Sequence, residues 1–322
     1  MERLRSLAGS LWVRALVSAG LLAAVLLTVD FGAARDKLAE GSWGWFVGAV
    51  AALFASFLIA GLRWRLFLDA AAIATTTYLS IRAYLIGAFT NNFLPGQAGG
   101  DVTRAWVVSR PGTRTSAITT VVVDRATALA CLVLAAWIAL AADPEPVAGT
   151  LVLALAASTA ALVVGLGVAG LLVWHGAGLG RRLPQRAQVW LTEAQSTIRA
   201  CARAAVIVRT AGLGLAFEGL VILALWLVAK AIEVDVSYSV LAVVLPPVLI
   251  VSALPISIAG YGVREASFVV LLGHVDIGST DATLLSLIGG VAFAIASLPG
   301  GLLLLQRAPV EPAEPEVSPP GA

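Results

Sequence analysis

The segment YLSIRAYLIGAFTNNFLPGQAGGDVTRAWVV, residues 78–108, starts as an apolar run and breaks in its middle. Tyr78 to Leu94 is apolar enough to enter a membrane as a helix. Pro95, Gly96, Gly99 and Gly100 then interrupt it before Val102 to Val108 resumes. Proline removes a backbone donor and clashes with the preceding turn, and glycine is entropically costly in a helix, so residues of this kind at this density end one. A second stretch repeats the pattern: Tyr238 to Leu254 runs into Pro255, Gly260 and Gly262, and Arg264 to Leu272 resumes.

Around these broken stretches lie uninterrupted apolar runs at Leu11 to Asp30, Trp45 to Leu62, Ala117 to Ala141, Leu151 to Trp174, Ala211 to Ala229 and Leu284 to Leu305. Each approaches the ~20 residues that carry a helix across a bilayer. Of 322 residues, 59% are hydrophobic and 12% charged, and the mean hydropathy is +0.94. A soluble domain carries about 25% charged residues, so no water-soluble core hides this much apolar sequence. The first run, Leu11 to Val29, has a basic start and no small-residue cleavage site before Asp30, which predicts a retained span rather than a signal peptide. The expected fold is all-α: a polytopic membrane helical bundle with about six full spans plus two re-entrant broken-helix hairpins.

Charge gives the orientation, because short basic loops stay in the cytoplasm. Arg3, Arg5, Arg63, Arg65, Arg110, Arg114, Arg181, Arg182, Arg186, Arg199, Arg203 and Arg307 fall on one side if each broken stretch enters and leaves by the same face. The other side keeps Arg35, Lys37 and Lys230, near Asp36, Asp143, Glu145, Glu233 and Asp235. This asymmetry predicts cytoplasmic termini and one hairpin dipping from each face. Leu94-Pro95-x4-Gly100-x3-Arg104 and Leu254-Pro255-x4-Gly260-x3-Arg264 share their spacing, as expected of an inverted repeat. Between the halves, Pro184 to Val208 mixes Arg186, Glu193, Arg199 and Arg203 with Trp190, Leu191 and Ile198, which suits a helix on the cytoplasmic membrane surface and equally a plain connecting loop.

A net charge of +2, scattered through membrane-flanking loops, excludes a nucleic-acid partner. Cys131 in a span and Cys201 in a basic loop predict two free thiols, and neither they nor His175 and His274 have metal-ligand spacing. No metal or cofactor is expected, and no GxxxxGK[ST] phosphate loop is present, so energy coupling would be to an ion gradient or absent.

Ionisable residues at membrane depth carry the functional signal. Arg82, Asp101, Arg104, Asp124, Arg125, Glu218, Arg264 and Glu265 lie in the predicted spans or hairpins. Each costs about 2.5 to 3.5 kcal/mol at mid-membrane on an insertion scale unless it is paired or faces water. Asp124 and Arg125 point ~100° apart around a helix, so each must reach a partner elsewhere. Arg104 and Arg264 are the expected complements of Asp124 and Glu218. Structural ion pairing and a functional site both fit these residues. At the breaks, unwound glycine-rich backbone, helix N-termini, the guanidinium forks of Arg104 and Arg264 and the amides of Asn91 and Asn92 describe an anion site.

The stretch Asn91-Asn92-Phe93-Leu94-Pro95-Gly96-Gln97-Ala98-Gly99-Gly100-Asp101-Val102-Thr103-Arg104, the later Val123-Asp124-Arg125, and Leu254-Pro255-Ile256-Ser257-Ile258-Ala259-Gly260-Tyr261-Gly262-Val263-Arg264-Glu265-Ala266 resemble the lysylphosphatidylglycerol synthase transmembrane-region family, also called the flippase-like domain or uncharacterised protein family 0104. The resemblance runs over roughly Leu11 to Leu305 and departs at Asp124, where the family pattern has Glu. It implies a flippase-like transmembrane domain over residues 1–307. The remainder, 308–322, is a Pro- and Glu-rich tail expected to be disordered. In multiple peptide resistance factors such a domain looks to translocate aminoacylated phosphatidylglycerol made by a separate soluble domain. No synthase activity is carried over here.

The resemblance therefore implies a lipid translocase of the cytoplasmic membrane acting on an anionic or aminoacyl-modified phospholipid or other polar lipid, partnered by a separate lipid-modifying enzyme. Its substrate-binding residues would be Asn91, Asn92, Gly99, Gly100, Asp101, Arg104, Asp124, Arg125, Gly260, Tyr261, Gly262, Arg264 and Glu265. Arg104 and Arg264 would take the phosphate, and Asp101, Asp124 and Glu265 would pair with them or with a cationic headgroup. Two other readings stay open: a membrane-embedded transferase on a lipid-linked substrate, with Asp101 or Glu265 as base, and a non-transporting scaffold of a lipid-modifying complex.

Overall fold

A computed structural model describes residues 19–21, 23–25, 27–93, 98–145, 147–180, 184–253 and 262–306. Within these residues the chain is helical, with no strand. Residues 19–21 and 23–25 are helical, and the rest of the first expected span, the hairpin tips at 94–97 and 254–261, and the tail at 308–322 lie outside the described residues.

Among the described residues, five helices are long and apolar enough to cross a membrane. They are α2 (Trp43–Ala70), α5 (Arg114–Ala142), α6 (Gly149–Gly180, apolar over Gly149–Val173), α8 (Ala204–Ala231) and α11 (Ser279–Leu305). A short helix α1 (Phe31–Glu40) precedes them, started by the Asp30 carboxylate accepting the Gly32 and Ala33 N–H groups at 2.9 and 3.1 Å. Helix α7 (Gln185–Cys201) occupies the segment between the halves. It turns Ala194, Thr197 and Cys201 inward and leaves Val189 and Trp190 exposed, so the segment is an amphipathic helix and not a plain loop.

The broken stretches are two helical legs each: α3 (Thr77–Thr90) with α4 (Ala98–Val108), and α9 (Tyr238–Ala253) with α10 (Val263–Leu272). At 1.5 Å per residue these legs are ~21, ~17, ~24 and ~15 Å long, short of the ~30 Å hydrocarbon core. Each pair packs leg against leg. In the first hairpin the contact is backbone on backbone: a Cβ at Gly100 would collide with the Gly87 carbonyl oxygen. Short legs packed on one another are what a re-entrant hairpin requires.

The two halves repeat in element length. Span, leg, leg and span have 28, 14, 11 and 29 residues in α2 to α5, and 28, 16, 10 and 27 in α8 to α11. Two crossings, α5 and α6, separate α2 from α8 and leave them antiparallel, so the repeat is inverted. Packing follows the same symmetry. Helices α2 and α8 form the central pair, α3 packs on α11 of the other half, and α9 packs on α5 in the corresponding way. The shared core gathers Leu53 and Phe57 of α2, Ile222 and Val228 of α8, and Leu241 to Val248 of α9. Helix α6 shows Leu153, Val163, Val164, Leu171 and Leu172 outward, a lipid-facing surface.

One expectation needs correction. Helix α2 does not end at Leu62 but continues to Ala70, carrying Arg63 and Arg65 with it. Arg63, assigned above to a basic loop, is 1% exposed. The helix continues because Trp64, Phe67 and Leu68 bury the next turn and Asp124 compensates the charge. The second legs of the two hairpins also begin differently relative to their motifs. Gly99, Gly100 and Arg104 lie inside α4, whereas Gly262 precedes α10 and Arg264 is in its first turn.

Candidate functional site

Three helices converge on Asp124, which α5 places 1% exposed at the heart of the bundle. Its Oδ1 accepts from Arg63 Nε of α2 at 2.9 Å and its Oδ2 from Arg104 Nη1 of α4 at 2.8 Å. Arg104 also donates from Nε to Asp101 Oδ1 at 3.1 Å, and Asp101 in turn takes Arg125 Nε at 2.7 Å and Nη2 at 3.2 Å. The result is a chain of alternating sign, Arg63, Asp124, Arg104, Asp101, Arg125. Buried ion pairs hold only when geometry and hydrogen bonding are good, and these bonds span 2.7–3.2 Å.

Aromatic rings wall the chain. The Arg104 guanidinium lies 4.9 Å from the Trp64 ring centroid and 4.8 Å from that of Tyr84, and Arg63 lies 5.2 Å from Phe217. Desolvated contacts of this kind add to the pairing. Tyr84 sits within electrostatic reach of Arg63, Arg104, Arg125 and Asp124. One end of the chain is sealed, with the Arg63 side chain 1% exposed, and the other is open, with that of Arg125 44% exposed.

A second cluster forms at the start of α10. Gly262 has φ of 83°, a left-handed conformation that favours glycine. It directs its N–H to Glu265 Oε2 at 2.6 Å. Glu265, fully buried, also takes Arg264 Nε at 3.0 Å and Nη2 at 2.8 Å on Oε1, where Ser286 Oγ of α11 donates at 3.2 Å. The Arg264 side chain stays 29% exposed. It runs over Gly290 of α11, where a Cβ would stand 2.9 Å from Nη2.

The expected residues thus divide. Asp101, Arg104, Asp124 and Arg125 come together in one cluster, and Gly262, Arg264 and Glu265 in the other; Gly260 and Tyr261 lie outside the described residues. Arg104 meets Asp124 as anticipated, but Arg264 turns to Glu265 and Ser286 rather than to Glu218. Asn91 and Asn92 close the first hairpin: Asn91 Oδ1 accepts the Gly100 N–H at 2.8 Å, and Asn92 Nδ2 donates to Ser297 Oγ of α11 at 2.9 Å. Gly99 and Gly100, read above as unwound backbone, are helical, and Gly100 makes room for α3. Arg82 donates to the Leu303 and Gln306 carbonyl oxygens at 2.9 and 2.7 Å and so caps the end of α11.

Sequence reasoning missed Arg63. The available signal was the apolar pattern of Trp64, Phe67 and Leu68, which carries a helical face past the hydropathy minimum. Both cysteines are free thiols, and the described residues contain no group of three ligands able to hold a metal.

The same chain matches the family described as lysylphosphatidylglycerol synthase TM region over residues 11–300. It belongs to that family. No curated protein matches the chain. As a lysylphosphatidylglycerol synthase TM-region protein it is a multi-pass membrane protein of a lipid-handling family. The match contains both clusters and both hairpins.

Proposed function

We propose that this chain is a lipid translocase of the cytoplasmic membrane. It moves an anionic or aminoacyl-modified phospholipid, or another polar lipid, between leaflets. Both termini are cytoplasmic in this reading, residues 1–307 act as one domain, and a separate lipid-modifying enzyme supplies the substrate. The supporting observation is the chain of three arginines and two aspartates inside an apolar bundle, joining a leg of the first hairpin to two spans and exposed at Arg125. Intramembrane charges are expensive and mark polar paths. A phospholipid headgroup crossing the bilayer needs such a path, and a guanidinium fork suits its phosphate.

In this reading the arginines divide the work. Arg104, enclosed by Trp64, Tyr84, Asp101 and Asp124, orders the cluster, while Arg125 and Arg264, the partly exposed members, meet the headgroup. The test is leaflet-resolved transport of labelled phosphatidylglycerol and its aminoacyl derivatives in proteoliposomes. Wild type should exceed empty vesicles. Arg125→Gln and Arg264→Gln, each folded, should lose on the order of ten- to hundredfold, the worth of a hydrogen bond to a charged group. Wild-type rates equal to empty vesicles across a broad lipid panel would reject the translocase and favour a scaffold or a transferase.

A further inference from the structure

The charge chain has an unfilled donor at its sealed end. Arg63 Nε is held by Asp124, but Nη1 is buried with no hydrogen-bond partner among the described residues. A buried, unsatisfied donor on a charged group is costly and marks a place where an acceptor belongs. Nη1 points toward α8. A Cβ on Gly214 would stand 3.5 Å from it, and Phe217 of the same helix lies under the guanidinium.

Glu218 follows one turn after Gly214 on α8. It is 3% exposed, it has no hydrogen bond or ion pair among the described residues, and it lies within electrostatic reach of Arg63, Arg125 and Asp124. Among the described residues, the titratable groups on the helices packed against it are few. Helix α2 offers Arg63. Helix α5 offers Asp124, Arg125 and Cys131. From α9, Tyr238 donates its hydroxyl to the Gly219 carbonyl at 3.1 Å. Helix α11 carries Asp281, already engaged with Lys37 at 2.6 Å.

Counting charge separates two neutral states. Three arginines against Asp101 and Asp124 leave the chain one positive charge in excess. An ionised Glu218 cancels it, and so does a bound phosphodiester, which carries a single negative charge. With both anions present the cluster is negative, and with neither it is positive, and an uncompensated charge in the membrane interior is penalised.

We propose that Glu218 is a proton-binding site coupled to the arginine cluster, so that one proton and one phosphodiester anion occupy the protein together. This rests on the lipid-translocase reading and names its coupling ion. When the anion arrives, the Glu218 carboxylate takes a proton from water and Arg63, Arg104 and Arg125 are left to balance the phosphate. When the anion leaves, the proton leaves with it.

The test uses the full chain in phosphatidylcholine nanodiscs, into which phosphatidylglycerol is titrated in weakly buffered solution. A pH-indicator dye counts protons, infrared difference spectra follow the protonated-carboxyl band, and retained lipid is quantified by mass. Wild type should take up one proton per phosphatidylglycerol bound, with a carboxyl band growing in parallel. Glu218→Gln, which keeps the shape of the side chain, should bind the lipid with no uptake and no band. If that variant does not fold, the wild-type band and stoichiometry decide alone. Lipid binding without proton uptake, or equal uptake by Glu218→Gln, overturns the coupling and leaves the translocase standing. No binding of phosphatidylglycerol by wild type overturns the coupling to this phosphodiester, whereas the translocase itself falls only if no lipid of the broad panel moves faster than in empty vesicles.

Discussion

Asp124 is the residue on which most of the buried charge depends, since among the described residues it alone pairs Arg63, and it shares Arg104. Asp124→Ala strands the buried Arg63 and leaves Arg104 with Asp101 alone, and breaking a buried pair from one side costs about 3 to 5 kcal/mol. The expected result is a marked fall in thermal unfolding temperature in detergent. Asp124→Asn, which keeps an acceptor oxygen, should fall less; equal melting of both variants with wild type would mean that the pairs carry no net stability. Cys201 makes a prediction of another kind. Burial at the end of α7 pushes its thiol from the ordinary value of 9.0 up to about 11. The folded state therefore holds a proton that the unfolded chain gives up sooner. The contribution is full below pH ~9 and is lost as pH rises toward the folded value. Denaturant midpoints measured from pH 8 to 11 should decline more steeply for wild type than for Cys201→Ala.

At the scale of elements, glycine decides which helices touch. Gly300 of α11 sits against the backbone of α3, where a Cβ would overlap the Leu85 carbonyl and stand 3.1 Å from the Ile86 nitrogen. Gly300→Ala must push two helices apart, at a cost of about 1 to 3 kcal/mol. Gly165→Ala on α6 meets nothing within 4 Å and should be neutral or stabilising by up to ~1 kcal/mol. Chemical denaturation of the two variants side by side reads the difference. These contacts also explain what the sequence could disclose. Pro95 and the glycines around it announce a break because they act through local backbone physics. That Gly100 serves α3 rather than a ligand is a fact of tertiary packing, which no local pattern carries. Arg63 was hidden for the same reason: hydropathy treats a charge as a boundary, and only Asp124, 61 residues away in sequence, reveals it as interior.

The whole molecule is two inverted halves, and the prediction at this scale is topological. Cysteines introduced at Ala74 and Pro111, which flank the first hairpin, should react with a membrane-impermeant thiol reagent from one face. Those at Asp235 and Gly278, flanking the second, should react from the opposite face. Labelling of Ala74→Cys and Pro111→Cys from opposite faces would turn the first hairpin into a full crossing and end the inverted repeat. The spans and the class of the fold were legible because lipid imposes one simple demand, apolar length with satisfied backbone. The pairing of charges was not, because it depends on which helices meet.

The exchange of partners between halves, α3 on α11 and α9 on α5, has a mechanical consequence. The halves are clasped like interlaced fingers and cannot swing apart as two lobes on a hinge. Any opening has to be a slide of crossed units, each made of one half's hairpin and the other half's span. A push on either hairpin is then delivered, without an intervening linker, to the opposite end of the molecule.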